Sequence, residues 1–193
     1  RRGVLSPTPR ASALAPFQIR SFRFQWPADL ATSWALEMET IILGWYVLVE
    51  TKSVFMLTVF ASLLYVGTLL SPMFGVVGDR IGQRALLCVM RSLYATCAVT
   101  LTACAFLGIL GPGIVLAVTA VVGLVRPSDI GMRTALVGEI MPPDRLVSAM
   151  GIQRTTQDSA RIAGALSGAG LVAALGMGPA YLVVSTFYVT SIL

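Results

Sequence analysis

Gly75-Val76-Val77-Gly78-Asp79-Arg80-Ile81-Gly82-Gln83-Arg84 is a charge-dense, glycine-rich stretch in a chain where charge is otherwise scarce. It fills the short polar gap between the second and third of six long apolar runs. Gly75 and Gly82 permit close backbone approach and unusual dihedrals at a tight turn. Asp79 can accept from exposed helix-terminal amides, where the helix dipole favours an anion. Arg80 and Arg84 anchor the stretch at a membrane surface.

Outward from that gap the pattern is uniform. The apolar runs cover Trp26–Val49, Val54–Val77, Ala85–Leu110, Gly113–Val137, Ser148–Leu175 and Pro179–Leu193. About 20 apolar residues cross a hydrocarbon core of about 30 Å. In lipid every backbone donor and acceptor needs an internal partner, so runs of this length are expected to be helices. A membrane barrel would instead show roughly ten-residue alternating segments, and none is present. With 56% hydrophobic and 12% charged residues, the chain is far too apolar for an ordinary soluble domain. The expected fold is all-α: a polytopic membrane protein with a six-helix bundle over residues 26–193. The last run stops at Ile192-Leu193 with no polar flank, so the expectation is a sixth helix cut short in a larger molecule.

Lys and Arg placement sets the expected orientation. Arg1, Arg2, Arg10, Arg20 and Arg23 precede the first run; Arg80, Arg84 and Arg91 follow the second; Arg133 and Arg145 follow the fourth. The alternate gaps hold only Lys52, with no cation around Gly111-Pro112 or Gly176–Gly178. The amino terminus and the Gly75–Arg84 stretch are therefore expected in the cytoplasm. The net charge of +5 is explained by this topology, and no nucleic-acid partner is expected. Residues 1–25, with Pro7, Pro9 and Pro16 and no acid before Asp29, are expected to be a disordered cytoplasmic tail. Cys88, Cys97 and Cys104 match no metal spacing and the chain has no His, so no metal or cofactor is expected.

Small residues recur at helical spacing. Gly67, Ser71, Gly75 and Asp79 fall every four residues in the second run, as do Ala160, Gly164 and Gly168 in the fifth. Such stripes let helix backbones approach in lipid. They serve either static packing or a sliding surface.

Charges inside the runs are the candidate working parts. An ionised acid at mid-bilayer costs about 2.5–3.5 kcal/mol, so Asp29, Glu37 and Glu39 of the first run need a cavity or a partner, unless Asp29 sits at the interface. At about 100° per residue, Glu37 and Glu39 point about 160° apart and cannot share one site. One face lines a central path and the other packs on a neighbour, with the sequence leaving open which is which. Arg154, Asp158 and Arg161 share a helix face at four- and three-residue spacing. Arg161 either binds an anionic group or pairs with a first-run acid, the alternative being a structural ion pair. Without His, proton coupling would rest on Glu37, Glu39 or Asp158. Arg126 precedes Pro127 and either reaches the cytoplasmic surface or has a functional role.

The pattern Gly75-x-x-x-Asp79-Arg80-x-Gly82-x-Arg84 resembles the signature loop of the major facilitator superfamily of secondary transporters, with Gln83 in place of the first closing basic residue. Asp129, Arg133, Ala135, Glu139 and Pro142, followed by Ala160-Arg161-Ile162 and Gly164, resemble efflux-type members called transmembrane secretion effectors. The resemblance implies the amino-terminal half of a twelve-helix transporter in a bacterial-type plasma membrane. It implies that Asp79 locks this half to a second one, which would be the missing partner. It further implies ion-gradient-driven movement of a small molecule by alternating access, with export the expected direction. Uptake by the same superfamily, or a non-transporting membrane scaffold or sensor, are the alternatives. No phosphate-cradling Gly-x-x-x-x-Gly-Lys-Ser/Thr motif and no convergent catalytic set is present, so no enzyme is expected.

Overall fold

The computed structural model describes residues 15–192, and the expectation of disorder for residues 1–14 lies outside them. Among the described residues the chain is helical throughout. The helices are α1 (Arg20–Thr51), α2 (Val54–Leu63), α3 (Ser71–Ile81), α4 (Gln83–Phe106), α5 (Pro112–Ile140), α6 (Pro143–Leu175) and α7 (Met177–Thr190). Short 3-10 turns cover Ala15–Gln18 and Val66–Leu69.

Local chemistry sets the boundaries. Pro112 and Pro143 open α5 and α6 at positions where no amide is needed. Lys52 ends α1 in the left-handed region, and the Ser53 hydroxyl accepts from the Met56 amide to start α2. Between α3 and α4 the connection is Gly82 alone, at φ 91° and ψ 134°. A side chain would be strained there.

Seven α-helices stand where six were expected, because the second apolar run is broken. Its halves α2 and α3 meet at an elbow of 50°. The elbow presses on α5. A β-carbon on Gly67 would lie 2.0 Å from the Leu124 carbonyl oxygen, and one on Gly123 would lie 1.9 Å from that of Leu63. Only glycine at both positions allows this approach, and burial against α5 shelters the interrupted backbone from lipid. Taken singly, α4 and α5 are long and apolar enough to cross a membrane, and the α2–α3 pair adds a third if counted as one broken span. α1 and α6 have the length, at 32 and 33 residues, but carry internal charges, and α7 has only 14 residues.

α1 is the hub, packing on α2, α5, α6 and α7, while α4 packs on α5 and α7. Its closest partner is α6. β-carbons on Gly164 and Gly168 would come to 3.0 Å from Glu37 Cβ and Met38 Cα. The Trp26 and Trp34 indoles donate to Thr156 and Ser167 hydroxyls, both at 2.9 Å. Residues 15–25, assigned to the tail on composition, are instead structured. Phe22 is buried with Val137, Met141 and Ala149, and Phe17 meets Phe22 and Trp26 edge-on, each at 5.3 Å. Burial of those rings outweighs the local prolines and arginines.

The outer surface is apolar, with Val89, Val99, Leu166 and Leu182 exposed. Ser92, Thr96 and Thr100 line the outside of α4, and each hydroxyl donates to the carbonyl four residues earlier, at 2.8 Å.

Candidate functional site

Three buried polar sets lie inside the bundle, all built around α1. The first is a four-charge cluster. Asp29 of α1 forms ion pairs with Arg91 of α4 and, at 3.9 Å, with Arg133 of α5. Arg133 bonds Asp129, one turn earlier on α5, at 2.5 Å. It also donates to the Asp29 carbonyl at 3.1 Å and the Ser33 hydroxyl at 3.0 Å. Arg91 donates to the Ser191 carbonyl at 3.0 Å. Two cations balance two anions, which is what burial of charge in a bundle requires. Asp29, given an interfacial position as one reading of the sequence, is buried in this cluster.

The second set surrounds Glu39. Tyr181 and Tyr188, two turns apart on α7, donate to its two carboxyl oxygens at 3.1 and 2.5 Å. Among the described residues Glu39 has no ion pair. The third set joins α1 to α5. Arg126 donates to Glu37 at 3.1 Å and to the Thr40 hydroxyl at 2.8 Å. The Glu37 side chain keeps 26% of its surface exposed, against 10% for Arg126. A small cavity lined by Glu39, Thr40, Thr119 and Arg126 separates the second and third sets.

Glu37 and Glu39 therefore point apart, Glu39 into the bundle against α7 and Glu37 toward α5 at a partly open position. Arg126 does not reach the surface but sits buried between these acids. Arg161 is exposed on α6 and forms no ion pair among the described residues, whereas Arg154 and Asp158 pair at 3.2 Å on the same exposed face. Glu37 takes its cation from α5 rather than α6.

The Gly75–Arg84 stretch forms the end of α3, the Gly82 link and the start of α4. Asp79, Arg80, Gly82 and Arg84 are exposed, and a β-carbon on Gly75 would meet open space. Asp79 was expected to accept helix-terminal amides. It occupies the last turn of α3 and makes no hydrogen bond or ion pair among the described residues. A groove runs from Ser71, Gly75 and Asp79 to Ser128, Gly131 and Ala135 on α5. Ser71 and Gly75 thus border an open groove, whereas Gly67, Gly164 and Gly168 meet neighbouring backbone.

Sequence reasoning missed Asp129, Arg133, Tyr181, Tyr188 and Tyr94 as parts of buried polar sets. The four-residue spacing of Asp129 and Arg133 was a usable signal. The α7 tyrosines offered none, since aromatic residues in an apolar run read as ordinary packing.

No curated protein and no solved structure matches the chain. A family model described as transmembrane secretion effector matches residues 11–193. With nearly its whole length matched, and with buried charge inside apolar helices, the chain belongs to the transmembrane secretion effectors of the major facilitator superfamily, a family of membrane transporters rather than of enzymes.

Proposed function

We propose that this chain is a six-span bundle, the α2–α3 elbow counting as one span, that moves a small molecule across a bacterial-type plasma membrane by alternating access. The movement is export driven by an ion gradient. The groove face carrying Gly75 and Asp79 meets a second half, with Asp79 as the latch and the amino terminus in the cytoplasm. Arg126 and Glu37 contact the transported molecule or exchange partners during the cycle, Glu39 carries the coupling ion, and Asp158 and Arg161 face the second half.

The observation that carries this reading is the Arg126–Glu37 pair. It joins two helices deep in an apolar protein, yet its acid stays partly open, which a purely structural buried pair would avoid. Membrane charges that keep access to a cavity mark transport pathways. The test uses the full-length protein in proteoliposomes, with a set of preloaded fluorescent cationic and anionic dyes under an imposed proton or sodium gradient. Gradient-dependent dye movement that is lost in Glu37→Gln and Arg126→Gln supports the proposal. Movement equal to wild type in both variants overturns the role of the pair.

A further inference from the structure

Resting on the reading of Glu39 as an ion-coupling residue, a route by which a proton reaches it is visible inside the bundle. Tyr94 of α4 is 1% exposed, and its hydroxyl has no hydrogen-bond partner among the described residues. Leaving a buried polar group unpaired costs about 1–3 kcal/mol, so such a group calls for a partner of its own. Its surroundings are specific. The Tyr94 ring packs on Tyr188 with centroids 5.6 Å apart, and Tyr188 donates to Glu39 at 2.5 Å. Asp129 and Arg133 are the charges that act most strongly on the Tyr94 hydroxyl, followed by Arg126 and Glu39. Asp129 Oδ1 is also buried and without a partner among the described residues. An unpartnered phenol thus lies between two acid sites, each with a group able to meet it.

We infer that Tyr188 and Tyr94 form a proton relay between Glu39 and Asp129, completed by bound water. A phenol both donates and accepts, and water is the ligand that fits small buried polar gaps between such groups. Only O–H bonds form and break. Glu39 in its acid form gives its proton to the Tyr188 oxygen as Tyr188 releases its own. That proton passes through water to the Tyr94 oxygen, and the Tyr94 proton passes through water to Asp129 Oδ1. Each phenol ends with one proton, Glu39 ends ionised and Asp129 neutral; the reverse sequence restores the start. The groups facing Glu39 are Tyr181 and Tyr188 from α7, Arg126 from α5, and Tyr94 and Cys97 from α4. The α2 side contributes only Phe60 and Leu64 to the adjoining cavity. The relay runs behind α1, away from the partly open Glu37 face, so proton and transported molecule use separate paths.

The test is a pH jump on the full-length protein in lipid nanodiscs, followed by time-resolved infrared difference spectroscopy, with no transported substrate required. The carboxylic-acid band that disappears in Glu39→Gln reports Glu39. In Tyr94→Phe this band should reach its wild-type amplitude about a hundredfold more slowly, the lower end of what a positioned proton-transfer group supplies. An unchanged rate in Tyr94→Phe overturns the relay and leaves the coupling role of Glu39 standing. If Tyr94→Phe lowers the final amplitude, Tyr188→Phe is compared instead, and an unchanged rate there overturns the relay equally. If Glu39→Gln removes no band, the coupling role itself is overturned, and the relay with it.

Discussion

At the scale of single residues, charge balance inside the bundle decides which substitutions are severe. Arg133 is 2% exposed and holds Asp129 at 2.5 Å, with Asp29 farther away at 3.9 Å. Removing Asp129 leaves three charges where four cancelled. Asp129→Leu should therefore cost about 3–5 kcal/mol, seen as a fall in thermal unfolding midpoint in detergent. The double variant Asp129→Leu/Arg133→Met restores neutrality, with Asp29 still paired to Arg91, and should recover much of that loss. Additive losses in the double variant would show that the pair does not act as a unit. Part of this was legible in the sequence. Glu37, Glu39 and Arg126 stood out because charge in an apolar run demands a partner. Which acid Arg126 takes depends on how α1 and α5 are rotated about their axes, and no local pattern encodes that rotation.

At the scale of elements, glycine positions separate packing from surface. Gly123→Ala places a β-carbon into the Leu63 carbonyl, and Gly67→Ala does the same to Leu124. Each should push the elbow off α5 and cost about 1–3 kcal/mol or more of thermal stability. Gly75→Ala meets open space within this chain, so it should leave the stability unchanged or raise it by up to about 1 kcal/mol. Gly82→Ala forces a β-carbon onto a backbone at φ 91° and should cost about 1–3 kcal/mol. Equal unfolding midpoints for Gly123→Ala and Gly75→Ala would contradict the packing described. The long uninterrupted helices α4 and α5 were readable because hydrocarbon leaves the backbone no other conformation. The elbow was not, since Gly67 in an apolar run gives no sign that Gly123, far along the chain, lies opposite.

For the whole molecule, the gathering of charge at one end sets an expectation about sidedness. Arg20, Arg84 and Arg91 line one groove at the end where α1 and α4 begin, and Arg145 meets Gln18 beside them. Lys52 marks the opposite end, between α1 and α2. In a background of Cys88→Ala, Cys97→Ala and Cys104→Ala, a membrane-impermeant maleimide should label Lys52→Cys in intact cells. Arg84→Cys should react only after permeabilisation. The reverse pattern would invert the expected topology. The structured segment from residue 15 shows the limit of compositional reading. Its prolines and arginines suggested a loose tail, while the contacts that hold it come from α5 and α6.

The hydroxyls along the outside of α4 carry a consequence for how the protein meets lipid. Ser92, Thr96 and Thr100 turn their protons back onto their own helix, leaving mostly methyl and methylene groups outward. To a passing acyl chain this flank is greasy despite its spelling. Transfer scales that assess each residue alone therefore overstate the work of placing α4 against the fatty interior.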